Sequence, residues 1–194
     1  MKRCYKTFIK VSTTIVIFFL FVLINVNCQY DYHSPNPGII QIKLKTISKN
    51  IEFTPLNNFV IKITGIEAVI NKDKSVAIYN DLKAIESKTL LVNTLDFRAR
   101  DSSLIIGETY VPPGDYIGVN MLIEPSREVI LDGYRVILVN KPENFNPLLK
   151  FEKNYHVDES RTTYITLTID LDKTLIKGAF EYTFDPVYYI SSIK

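Results

Sequence analysis

Apolar residues recur at every second position in short runs from Ile39 almost to the end of this chain, a period that admits strands rather than helices. Thr162–Leu171 (TTYITLTIDL) has the cleanest alternation. Tyr164, Thr166, Thr168 and Asp170 fall on one face, and Ile165, Leu167, Ile169 and Leu171 on the other. Such a run offers one face to a core and the other to water. Ile39–Ile47 (IIQIKLKTI) reads as a first strand and Phe59–Ile70 (FVIKITGIEAVI) as a second, with Gly65 marking a bulge. The polar turn Asn71–Lys74 leads into Ser75–Tyr79, which returns as the second half of a hairpin. Leu90–Phe97 and Ser103–Val111 follow as shorter strands. Pro112-Pro113-Gly114 is the sharpest turn signal and opens a strand at Tyr116–Ile123. Glu128–Val139 carries Asp132-Gly133, which favours a tight hairpin turn. Leu148–Val157, Thr162–Leu171 and Phe180–Ile190 complete the series. Only Asn80–Lys88 (NDLKAIESK) has helical potential, so at most one short helix is expected. Strands at regular spacing, rich in Ile, Val, Thr, Tyr and Phe, predict an all-β fold with a single β-sandwich over residues 39–194.

The first 27 residues have a different design. Met1 to Lys10 contains four cations and no acid, Val11–Ile24 is an apolar run, and Asn25-Val26-Asn27 leads to Cys28. This is the layout of an export signal. The terminal Cys points to a lipoprotein-type signal peptide over 1–27, with Cys28 as the lipidated first residue of the mature chain. Residues 28–38, with two prolines and a glycine, then read as a tether between anchor and domain. The usual lipoprotein box has Leu three positions before the Cys and a small residue just before it, whereas this chain has Asn25 and Asn27. Two alternatives stay open: ordinary cleavage, as after Cys28, that frees a secreted protein, and an uncut anchor. A spanning helix needs about 20 apolar residues, and Ser12, Thr13 and Thr14 dilute this segment.

Removing the leader changes the charge argument. Lys plus Arg falls from 23 to 19 while Asp plus Glu stays at 21, so the net charge goes from +2 to −2. The basic balance belongs partly to the leader, and no run of Lys or Arg comes after it, so a nucleic-acid partner is not expected. Cys4 and Cys28 are the only cysteines, and Cys4 lies in the leader. The mature chain therefore has no internal disulfide and no thiol zinc site.

The order of several short motifs is similar to the bacterial lipoprotein domain family catalogued as domain of unknown function 4382. The residues that carry the resemblance are Thr64-Gly65-Ile66-Glu67 within its strand, Thr89–Leu95, Val111-Pro112-Pro113-Gly114-Asp115-Tyr116, Asp132-Gly133, Thr166–Leu175 and Phe184-Asp185-Pro186-Val187. Lys45–Asn50 departs from the Asp-Ala-Pro-like turn usual there, and Trp is absent. The resemblance implies an immunoglobulin-like or transthyretin-like sandwich on a lipid anchor. It implies no activity.

Candidate sites are few. Asp170 and Asp172, two apart on one expected strand, would share a face and, with Asp158 or Glu159, offer oxygen ligands to calcium. The plainer reading is an acidic strand end turning into a Lys173–Gly178 loop. His33 lies in the tether; His156 stands beside Asp158, with Ser160 completing a conceivable triad, but no Gly-x-Ser-x-Gly elbow is present. A surface imidazole is the plainer reading there too. Arg98 and Arg100 around Asp101 read as a solvated loop. Tyr110, Tyr116, Tyr134, Tyr182, Tyr188 and Tyr189 would line a sugar-stacking or protein-binding surface, or else fill the core and strand ends. The sequence thus predicts a non-enzymatic lipoprotein of a bacterial cell envelope, or a secreted form of it. It would meet the membrane through its lipid anchor and bind a protein or glycan partner, with no cofactor. A carbohydrate- or calcium-binding module for polysaccharide uptake, or a fibre-assembly subunit, are the alternatives.

Overall fold

The alternation read from the sequence becomes one-sided burial in space. In the first strand Ile40, Ile42 and Leu44 are wholly buried, while Gln41, Lys43 and Lys45 between them face outward. The computed structural model describes residues 35–80, 88–101 and 103–194. The leader, Cys28, His33 and most of the Asn80–Lys88 segment lie outside the described residues.

Among the described residues thirteen strands succeed one another along the chain. They are β1 (Gly38–Ile47), β2 (Val60–Asn71), β3 (Lys74–Ala77), β4 (Leu90–Asn93), β5 (Leu104–Val111), β6 (Gly114–Pro125) and β7 (Glu128–Leu131). The rest are β8 (Arg135–Asn140), β9 (Leu148–Val157), β10 (Thr162–Asp170), β11 (Leu175–Lys177), β12 (Glu181–Phe184) and β13 (Tyr188–Ile193). Two short helices, α1 (Phe97–Asp101) and α2 (Leu171–Thr174), interrupt them.

The architecture is all-β and sandwich-like. The first sheet runs β13-β10-β1-β5, and the second runs β3-β2-β6-β9 with β4 also pairing β2. One edge of β2 is shared, Val60–Ile63 by β4 and Glu67–Asn71 by β3. In the first sheet β1 and β10 are parallel, from Ile39↔Thr162 to Ile47↔Asp170. The inner faces meet in one core, where Ile42 and Leu167 of the first sheet join Ile61, Val119 and Phe151 of the second. The Phe151 and Tyr188 rings lie 4.7 Å apart across it. A third, smaller sheet, β11-β12-β8-β7, closes one end through Phe184, whose ring lies 5.8 Å from Phe59 and 5.7 Å from Phe145.

Two turn readings are realised in detail. Asp132 and Gly133 take φ of 57° and 79°, both left-handed, at the centre of the Leu131–Tyr134 turn, and with Tyr134 they form the three-residue loop that joins β7 to β8. Pro112-Pro113-Gly114 carries the chain from the first sheet to the second. Four residues on, the buried Tyr116 donates its hydroxyl back to the Pro112 carbonyl at 2.7 Å. A tyrosine reaching back across such a corner is a recurrent brace of β-sandwiches.

Several expectations are corrected. Among the described residues two short helices stand where at most one was expected, and the Asn80–Lys88 reading itself falls largely outside those residues. The strand read over Leu90–Phe97 ends at Asn93, because Asp96 accepts the Arg98 amide at 2.8 Å and starts α1. Arg98 and Arg100 belong to this helix rather than to a loop; Arg98 pairs with Asp96 at 2.7 Å, and Arg100 lies over the Phe53 ring at 5.5 Å. Phe180–Ile190 is not one strand, since Asp185-Pro186-Val187 divides it into β12 and β13 in different sheets. The Lys173–Gly178 loop contains β11. Gly38, read as the end of the tether, is already the first residue of β1.

Candidate binding groove

A concavity among the described residues starts from an irregularity between β6 and β9. Their pairing passes from Tyr116↔Tyr155 to Gly118↔Glu152, so Ile117 alone faces two residues, Lys153 and Asn154. A bulge of this kind bends its strand and re-aims the side chains around it. Gly118 sits at the bend, where the β9 backbone comes too close for any side chain. A Cβ there would meet the Phe151 carbonyl oxygen, with Phe151 C at 3.3 Å and Glu152 Cα at 3.4 Å. Two buried rings brace this point from the core side. Tyr155 stacks on Tyr116 at 5.3 Å and 12°, and its hydroxyl donates to the Gly118 carbonyl at 3.3 Å. Burial pushes the Tyr155 phenol well above its ordinary range, and neighbouring Tyr116 adds to this, so the donor keeps its proton.

Above Gly118 lies an open groove of about 750 Å³ across the outer face of the second sheet. Val69, opposite Gly118 on β2, shares its floor. Lys72 from the β2–β3 turn and Lys150 and Lys153 from β9 line its sides, together with Asn120, Asn154 and Glu152. Three cations therefore face one carboxylate in a domain whose residues 39–194 hold 19 Lys and Arg against 20 Asp and Glu. None of the three lysines joins an ion pair among the described residues. A fixed cluster of like charge at a concave surface raises the local concentration of anions.

The residues singled out from the sequence take other places. Asp170 and Asp172 do not share a strand face, because α2 begins after Asp170 and turns Asp172 away. Asp170 pairs with Lys173 at 3.0 Å. Asp172 accepts from Ser48 Oγ at 2.6 Å, the Lys49 amide at 2.6 Å and the Asn50 amide at 3.2 Å. Burial alone would raise the Asp172 carboxyl, but these bonds outweigh it and hold the group below the usual carboxylate range. Asp172 is thus the pin that fixes the loop after β1. Asp158 and Glu159 precede β10 and Asp170 ends it, so these acids lie at opposite ends of one strand. Among the described residues no group of three or more His, Cys, Asp and Glu is placed to hold a metal ion.

His156 stands on β9 with Nδ1 2.7 Å from Asp115 Oδ1 and Nε2 3.8 Å from Asp158 Oδ1. The bond to Asp115 raises its pKa above the ordinary imidazole value, against a small opposing effect of desolvation. Ser160 takes no part; its amide donates to the Pro37 carbonyl at 3.2 Å. The tyrosines divide. Tyr116 and Tyr182 are buried, and Tyr188 packs on Phe151. Tyr134 is exposed in the β7–β8 turn. Tyr110 and Tyr189 are exposed on the outer face of the first sheet, joined there by Tyr164, which was not among the tyrosines singled out from the sequence. Lys43 Nζ lies 5.0 Å from the Tyr164 ring centre. Alternation had already put Tyr164 on a polar face, so its exposure was legible.

No family model matches the chain, and no curated protein matches it. The lipoprotein-domain resemblance therefore rests on the order of its motifs alone. Among solved structures, MbnP from Methylosinus trichosporium is similar, with a TM-score of 0.33 and 12% identity over 75% of this chain and 82% of that one. Similarity at that level carries no argument about function.

Proposed function

We propose that this protein is a non-enzymatic binding module of a bacterial cell envelope, held at a membrane surface by lipidated Cys28. The observation that carries the reading is the groove over Gly118. Its shape comes from backbone, through a bulge and an obligatory glycine, and its polar lining is three lysines, two amides and one carboxylate rather than a nucleophile beside a base. The basic-apolar-Cys leader and the short polar segment after Cys28 support the tether. Two measurements on the native host test this. The mass of the N-terminal peptide should show a diacylated Cys28; an unmodified Gln29 start would mean a secreted domain instead. A photo-crosslinking residue at Asn154 should capture a discrete adduct that one at Glu143, in the exposed β8–β9 loop, does not. Equal labelling at both positions, or none at either, would sink the binding reading.

A second reading is favoured by the tyrosines of the first sheet. Tyr110, Tyr164 and Tyr189 present rings on one outer face, which suits stacking of a neutral sugar.

A further inference from the structure

We propose that the groove binds an anionic glycan, a polymer whose acidic groups alternate with hydroxyl-bearing sugar rings; this rests on the binding-module reading. The cations are spread rather than convergent. Lys72 extends from the β2 side and Lys150 and Lys153 from β9, with β6 between them. Two strand spacings separate the sides by about 10 Å. Charges placed so far apart match acids repeated along a chain better than one compact phosphate. They are lysines, which act as point charges, and not the planar forks that clamp a single carboxylate or phosphate from two sides. Asn120 and Asn154 offer amide donors and acceptors between the cations, suited to hydroxyls.

The floor fits the same ligand. Gly118 removes a side chain from the middle strand, and Val69 and the exposed Ile117 beside it give an apolar surface. A glycine inside a strand often marks close approach of a ligand or another backbone. No exposed aromatic ring lines the groove, in contrast to the outer face of the first sheet, so attraction here is by charge rather than stacking. Acids lie close to the groove as well, Asp73 next to Lys72 in the β2–β3 turn among them. Glu152 lines the groove itself, and Glu67, two residues before Val69, receives the Ser75 hydroxyl at 3.0 Å.

The test uses the full chain in detergent and calorimetric titration with polygalacturonate and dextran sulfate, neutral dextran being the control. Both polyanions should bind, and rising salt should weaken them. Lys150→Gln/Lys153→Gln should lose about fivefold or more in affinity. Lys49→Gln/Lys177→Gln removes the same charge from exposed positions elsewhere and should match the parent. All four lysines are exposed, and melting curves of both variants should overlay the parent. Failure of both polyanions to bind, or an equal loss in the two double variants, would overturn the proposal. If neutral dextran bound as well as the polyanions, charge would not be the determinant and the proposal would fall. Failure of the polyanions with the Asn154 adduct retained would overturn the ligand class alone. Failure of both would overturn the binding-module reading too.

Discussion

Replacing Gly118 with alanine adds one methyl group, and its effect can be worked out from the backbone around it. That methyl is aimed at the Phe151 carbonyl, with Phe151 C and Glu152 Cα also within 3.4 Å. All three atoms belong to the backbone of the paired strand, so no side chain can swing aside and β9 itself must move. Forcing a methyl into packed structure costs about 1–3 kcal/mol, and a backbone obstacle puts this site in the upper half. Alanine also reduces the freedom of the unfolded chain, which offsets about 0.4–1 kcal/mol. The net expectation is a loss of about 1–2.5 kcal/mol, or a fall in melting temperature of about 2–10 °C for a domain of this size. Gly65→Ala is the matched control. It lies in the same sheet, and the nearest atom to its added Cβ is Leu122 Cβ at 4.0 Å, so it should be neutral or slightly stabilising. The assay is thermal unfolding followed by far-ultraviolet circular dichroism, since the chain has no Trp for fluorescence. If Gly118→Ala melted within about 1 °C of the parent, or if Gly65→Ala fell as far, close approach of β9 would not be what demands glycine.

Three more expectations come from the polar contacts. Asp172→Asn should destabilise the domain by about 1 kcal/mol, less than is usual for bonds to a charged acceptor because the site is partly open to water. Since the folded Asp172 carboxyl is lowered, its stabilisation is present above the unfolded value near pH 4 and lost as pH falls through the folded value; acid melting curves of parent and variant should therefore converge. His156 is raised by Asp115, so that contact stabilises below the unfolded value of about 6.5 and is lost as pH rises through the folded one. Imidazole resonances should titrate above the ordinary value for His156 and fall toward it in Asp115→Asn, with His33→Gln assigning the signal; an unmoved midpoint would remove Asp115 as the cause. Tyr116→Phe should lower stability by about 1 kcal/mol in urea unfolding through loss of the Pro112 bond. An unchanged midpoint would mean the corner is held by packing alone.

Strand by strand, most of the fold was legible. In β2 the core-facing pair Ile61 and Ile63 gives way to Ile66 and Ala68, a change of phase that needs one extra residue. The register slips at Thr64, immediately before the glycine that signalled a bulge. Asp132-Gly133 and Pro112-Pro113-Gly114 made their turns because their φ demands are local. What failed were inferences that carried a local pattern across a boundary set elsewhere. Asp170 and Asp172 would have shared a face only if the strand had continued. Phe180–Ile190 looked continuous because its apolar residues continue, yet Phe184 packs in the small sheet and Tyr188 against Phe151.

The groove belongs to a different level. Nothing near Lys72 in the sequence points to Lys153, and no spacing rule joins either to Gly118. They meet because β6 pairs with β2 on one side and β9 on the other, and because two residues of β9 oppose one of β6. The sequence by itself determined the strand period and the tight turns, since each is set by residue types or by neighbours within a few residues. Only the tertiary structure decided which lysines stand together and which acids stand apart, because strand pairing brings distant residues within about 5 Å of one another with no trace in the spacing between them.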